Sequence, residues 1–223
     1  MLAKMKEFYK NLRLYFDKAF QKESKFAETY KDEIAKISNV EIDGQDIDPE
    51  NIKLLSLWNL IKNASDGIKS ADEDTTKLKN GVTNSFAKVD AKQFKQGLMT
   101  LAGFKPKTVR VSMNGSKIAQ YLTNLNASIN AVKADEDAVM KSYNNALSEV
   151  DKAAKEFEKT AKETKSDSEK KANEKGSKIA TKKAELIKDC LGLLNTAAGV
   201  KAGCYKTLAK QAKMAAYKGI ASN

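Results

Sequence analysis

Ile118 to Phe157 reads IAQYLTNLNASINAVKADEDAVMKSYNNALSEVDKAAKEF. Within it Ile118, Leu122, Leu125, Ile129, Val132, Val139, Tyr143, Ala146, Val150, Ala153 and Phe157 recur at alternating steps of three and four, interrupted only at Glu136. Apolar residues at that spacing fall on one face of an α-helix, and a run this long is coiled-coil-like. At ~1.5 Å rise per residue, a helix from Ser116 to Thr164 would span roughly 70 Å. Its stripe needs a partner, and the following sequence supplies one. Lys165 to Ser177 is polar and charged, so it reads as the turn of an αα-hairpin, with Ser166, Asp167 and Ser168 as candidate N-caps. A returning helix to about Tyr217 then carries Ile179, Leu186, Cys190, Leu193, Ala197, Cys204, Leu208, Ala212 and Ala215 on one face. The predicted packing stripe sets Leu122, Leu125, Ile129, Val139, Tyr143 and Val150 against Leu186, Leu193 and Leu208.

The returning helix is unusually small-sided, with Gly192, Gly199, Gly203 and Gly219 among many alanines. Glycine inside a helix costs about 1 kcal/mol relative to alanine. Close packing, a subunit contact or flexibility is therefore expected to outweigh propensity there.

Two further helices precede this hairpin. Leu2, Met5, Tyr9, Leu12, Phe16, Ala19, Phe26, Tyr30 and Ile37 predict a helix over Leu2–Ile37. Asp48-Pro49-Glu50 is a helix start, with Asp as N-cap and Pro at the first helical position. From it a second helical stretch runs to about Val89, with Ile52, Leu55, Trp58, Ile61, Ile68, Val82 and Phe86 on its buried face and Gly67 and Gly81 as points of interruption. Between the two, Val40 to Ile47 alternates around Asp43-Gly44 and reads as a tiny β-hairpin. Thr108 to Met113 has strand composition and is able to lie beside Val40–Ile42 as a third strand.

The expected fold is all-α, an elongated bundle of about four long helices with a coiled-coil-like antiparallel hairpin and a small β-hairpin or flap. Residues 1–115 form the N-terminal helical region, with the β-hairpin near 40–47 and an irregular segment at 91–115. Residues 116–223 form the long hairpin with its basic C-terminal helix. The two are read as one integrated domain.

Composition limits the chemistry. The chain has 223 residues, 40 of them Lys or Arg against 29 Asp or Glu, a net charge of +11, and no histidine. Without histidine there is no Ser-His-Asp hydrolysis, no Cys-His proteolysis and no His-ligated metal. Cys190 and Cys204, 14 positions apart on one predicted helix, would be roughly 21 Å apart, too far for a disulfide. Both fall on apolar positions and read as buried thiols. Phosphate-binding loops, dinucleotide fingerprints and nucleophile elbows are all missing from the sequence. Asp43, Asp46 and Asp48 lack the twelve-residue loop and terminal Glu of an EF-hand, so a turn and a helix cap explain them better than calcium. Asp72-Glu73-Asp74 and Asp135-Glu136-Asp137 read as exposed helix faces. The expectation is no enzyme, no catalytic residue, no metal, no cofactor and no small-molecule substrate.

Charge is uneven. From Asp151 onward there are 17 Lys and 9 acids, and after Asp189 there is no acid at all. Lys201, Lys206, Lys210, Lys213 and Lys218 are thus the candidates for binding a polyanion or an acidic partner. Lys206, Lys210, Lys213 and Tyr217 share one helix face. Only Arg13 and Arg110 are arginine, so base-edge reading of DNA is not expected, whereas sequence-blind contact with phosphate is.

The heptad helix Ile118–Phe157, the charged turn near Ser166–Ser177 and the basic small-residue helix Leu186–Ile220 resemble the small Lys- and Ala-rich helical internal head proteins of tailed bacteriophages. The resemblance implies a high-copy virion structural protein without catalysis, and it carries over no functional residue. The leading expectation is a non-enzymatic structural or assembly protein acting by protein–protein association, with itself or with other virion components. The alternatives are a membrane-surface-active or pore-forming helical protein, inserting through Cys190–Val200, and a sequence-nonspecific nucleic-acid-packaging accessory touching DNA or another anionic surface. Met1 to Phe20 has no apolar core of a signal peptide, and no window is apolar enough for a transmembrane helix. The expected location is the virion or the host cytoplasm.

Overall fold

A computed structural model describes residues 23–123 and 125–222, with residues 125–133 and 136 described by their backbone alone. The part of the predicted first helix that falls on residues 2–22 lies outside them. Residues 23–29 are helical, and after a turn at Tyr30 the chain forms α1 (Lys31–Ala35). There follow β1 (Val40–Gly44), a 3-10 turn (Pro49–Asn51), α2 (Leu54–Asp66), α3 (Thr75–Ala87), α4 (Phe94–Leu101), β2 (Val109–Met113), α5 (Gly115–Thr123), α6 (Leu125–Glu163), α7 (Asp167–Asp189) and α8 (Leu191–Ser222). The protein is mainly α-helical, with one small antiparallel sheet of two strands.

Local chemistry sets the helix boundaries. Asp48 caps as its sequence suggests, accepting from the Glu50 N–H at 2.9 Å, but the turn it starts is a 3-10 turn. The helix predicted from there to Val89 is two helices. After α2 the chain turns at Gly67, and α3 has its own N-cap, Asp74, which accepts from the N–H groups of Thr76 and Lys77. The irregular stretch 91–115 contains α4 and β2. The hairpin turn is shorter than predicted: Ser166 accepts from the Glu169 N–H at 3.4 Å and α7 begins at Asp167. The returning helix is divided at Cys190, which closes α7.

The strand reading holds where it sets Thr108–Met113 beside Val40–Ile42 and is corrected at the hairpin. Asp43-Gly44 makes no local hairpin. β1 pairs along its whole length with β2, in the register Val40 to Met113, Ile42 to Val111 and Gly44 to Val109. A hairpin through Asp43-Gly44 would pair about three residues on each side, whereas the long-range ladder pairs five. It also buries Val40, Ile42, Val111 and Met113 together. Gly44 serves a close approach instead of a turn: a Cβ there would lie 2.6 Å from Gln211 Oε1. Gln211 clamps this end of the strand, accepting from the Gln45 N–H and donating to the Gln45 carbonyl at 3.0 Å. Gly103 is the one described glycine with positive φ, at 95°, and a Cβ there would lie 2.6 Å from the Asp46 carbonyl oxygen.

The contacts group the chain into two compact units, each built from discontinuous segments. The first comprises Met1–Ile52, Met99–Lys133 and Gly199–Asn223. Its core joins Ile34 and Ile37, the four inward strand residues, Ile118 and Leu122 of α5, and Ala212, Ala215 and Ala216 of α8. The second comprises Lys53–Leu98 and Ala134–Ala198. There Leu57, Trp58 and Ile61 of α2, Val139 and Tyr143 of α6, and Leu186, Cys190, Leu193 and Leu194 are buried. The Trp58 and Tyr143 rings lie 5.8 Å apart.

The predicted stripe is accordingly shared between two cores. Leu122 and Leu208 are buried in the first unit, and Val139, Tyr143, Leu186 and Leu193 in the second, where Val150 is half-buried. The side chains of Leu125 and Ile129 lie outside the described residues.

Candidate binding face of the C-terminal helix

From Gly199 onward α8 belongs to the first unit and packs through Leu208, Ala209, Ala212, Ala215 and Ala216, all buried. Its remaining side presents Lys206, Lys210, Met214, Tyr217 and Lys218.

Lys201 is the one basic candidate that the structure withdraws from the surface. It is 1% exposed, and its Nζ lies 3.3 Å from Glu50 Oε2. Position 201 falls on the packed side of α8, so the stem is buried among apolar neighbours and the ammonium is met by a carboxylate. The Tyr205 hydroxyl donates to the other oxygen of Glu50. Burial raises the Glu50 pKa, but the Tyr205 hydrogen bond and the Lys201 charge outweigh it and hold the carboxyl below its ordinary value. The Tyr205 phenol is pushed well up, by burial first and then by its bond to Glu50.

The other lysines differ among themselves. Lys213 is half-buried, 3.0 Å from Glu23 and with its ammonium 5.5 Å from the centroid of the Phe26 ring. Lys218 is exposed and donates to the Glu41 carbonyl oxygen at 2.7 Å. Lys210 is exposed and Lys206 half-buried. Among the described residues, carboxylates from distant sequence, Glu50 and Glu23, meet Lys201 and Lys213 and offset the lack of acids after Asp189 there.

The face also has an aromatic part that the sequence pattern hid. Phe26 sits between Tyr30 and Tyr217, its ring centroid 4.9 Å from each. Tyr217 is 56% exposed, Met214 54% and Tyr30 39%. Met214, Tyr217 and Lys218 line a shallow cleft of about 550 Å³ with Ile42, Asp43 and Arg110. Asp43 and Arg110 are cross-strand partners, with ion-pairing atoms 3.5 Å apart.

In the second unit the turn end of the α6–α7 hairpin lines a larger cleft of about 870 Å³ with residues 71 and 72. Among the described residues four lysines and four acids line it, including Lys162, Lys170, Lys178, Glu158 and Glu174. Lys182 and Glu185 are paired at 2.8 Å. Ser177 is buried and donates to Glu158 at 3.4 Å, and Gly176 seats the Phe157 ring.

Both thiols are free and buried in this fold. Burial pushes Cys190 up to about 12 and Cys204 up to about 11, and the thiolate is the reactive species. Cys190, Leu193, Leu194, Ala197, Ala198 and Val200, from the stretch considered for membrane insertion, are all buried within the protein. Among the described residues no helix is long and apolar enough to cross a membrane. Nor are three or more Cys, Asp or Glu grouped there so as to hold a metal ion. No protein-family model, curated protein or solved structure matches the chain.

Proposed function

We propose that the chain is a non-enzymatic assembly protein that works by association with further copies of itself, as a structural component of a bacteriophage virion. The observation that carries this reading is the cleft at the α6–α7 turn, with its four lysines and four acids. A surface carrying both signs has the chemistry of a self-complementary contact, in which exposed lysines of one copy meet exposed acids of the other. A chain of net charge +11 needs such local compensation before two copies can approach. The paired helices α6 and α7 present this end of the hairpin, and the virion role is the one the sequence resemblance implies.

The test is a charge reversal. Lys170 and Lys178 are exposed and line the cleft. Changing both to Glu leaves the buried side chains untouched and should dissociate the assembly while the circular dichroism spectrum stays helical. An assembly that survives the double reversal refutes the cleft as the contact. Mass spectrometry of purified virions checks the virion part, which fails if the chain is missing from them.

A further inference from the structure

We infer that the outward face of α8 in the first unit binds single-stranded nucleic acid without regard to sequence, with Tyr217 and Tyr30 as stacking surfaces and Lys210, Lys213 and Lys218 as phosphate contacts. The inference is independent of self-association, which uses the cleft of the second unit.

The first argument is charge. α8 has no acidic residue along Leu191–Ser222. On its outward face Lys210 is exposed, and Lys218 gives its hydrogen bond to a neutral carbonyl, with no carboxylate paired to it among the described residues. Lys213 shares its charge with Glu23 but stays partly exposed. Among the described residues lining the adjoining cleft the one acid, Asp43, pairs with Arg110. Lys210 and Lys213 lie three positions apart and Lys218 five further on, a short cationic track along the helix.

The second argument is the aromatic cluster. Phe26 props Tyr30 on one side and Tyr217 on the other, so both tyrosines are held in place yet remain exposed. Propped rings beside a cationic track are the two elements of sequence-tolerant single-strand binding, because every base offers a π-face. A duplex keeps its bases stacked and offers such rings little. Lysine, a point charge without arginine's planar fork, holds phosphate without reading base edges.

The same features argue against a membrane as the occupant. An interfacial helix buries a broad apolar face in lipid, and the apolar side of α8 is already occupied by the core. An acidic peptide would satisfy the lysines but would leave the two exposed ring faces unexplained.

The test uses the full chain and fluorescence anisotropy with labelled oligo(dT), a duplex of the same length, polyglutamate and anionic phosphatidylglycerol vesicles. Oligo(dT) should bind more tightly than the other three and weaken steeply from low to physiological salt. Tyr217→Leu, which keeps an apolar contact with Phe26, should lower affinity about tenfold. Tyr217→Phe should retain it. Lys210→Glu should weaken binding while leaving the melting temperature unchanged. Absent binding, equal or tighter binding of the duplex, polyglutamate or vesicles, or a Tyr217→Leu chain that binds like the parent would each overturn the inference.

Discussion

The Lys201 ammonium lies 3.3 Å from the Glu50 carboxylate, 151 positions away in sequence, and only Lys201 is buried: its side chain is 1% exposed, that of Glu50 62%. The pair therefore fixes the 3-10 turn to α8 within the first unit while leaving water at one end. Removing the acid leaves an ammonium in the interior, so Glu50→Gln should cost about 1–3 kcal/mol in urea unfolding, at the low end of what breaking a fully buried pair costs. Lys201→Met keeps the stem and removes the charge, and should change stability by less than about 1 kcal/mol. A larger loss for Lys201→Met than for Glu50→Gln would show that the ion pair itself, not the cost of burying the ammonium without this carboxylate, holds the turn.

The same carboxylate sets an acid dependence. Its folded pKa is lowered from 4.5 despite the opposing effect of burial. A depressed carboxyl contributes stability that is present above its unfolded pKa and lost as pH falls through the folded value. The difference in melting temperature between the parent and Glu50→Gln should thus be constant above pH 4.5 and close in more acidic buffer. A difference that persists undiminished in acid contradicts the assignment.

The helix glycines should separate into two kinds. Gly203 has nothing within 4 Å of where a Cβ would stand, whereas at Gly219 a Cβ would lie 2.5 Å from Ile37 Cδ1. Gly203→Ala should stabilise by about 0.5–1 kcal/mol through helix propensity and a less flexible unfolded chain. Gly219→Ala should destabilise by about 1–3 kcal/mol through overpacking against Ile37. Thermal unfolding of both variants checks this, and a shift of the same sign in both is the contrary result.

Thiol chemistry probes the burial of α8 and its junction with α7. Cys190 and Cys204 are both fully buried, with pKa values raised to about 12 and about 11. Near neutral pH, an aromatic disulfide reagent should modify neither thiol in the native protein and both promptly in denaturant. Rapid modification of one thiol in the native state would place it at the surface.

The helical texture was legible because it rests on local rules. The 3-4 stripe of Ile118–Phe157, the cap at Ser166 and the β-branched alternation of Thr108–Met113 each act over a few residues. What escaped was decided by distant partners. Lys201 reads as one more exposed lysine until the chain brings Glu50 beside it, and Asp43-Gly44 reads as a hairpin turn until β2 arrives as a better mate. Phe26 and Tyr30 fall at one end of the Leu2–Ile37 pattern, and nothing in their spacing shows that Tyr217 completes a three-ring cluster. Met214 and Tyr217 interrupt the alanine stripe of α8, and large side chains outside an otherwise small-residue pattern were the available sign of a surface face. The four glycines of the last helix read alike in sequence, yet of these only Gly219 makes a close approach.

Light scattering during size exclusion measures the central claim of assembly most directly. At micromolar concentration and low salt the full chain should elute with a mass at least twice its 24.5 kDa, falling toward the single-chain value as salt screens the lysine–acid contacts of the hairpin cleft. A single-chain mass at every concentration and salt would contradict self-association.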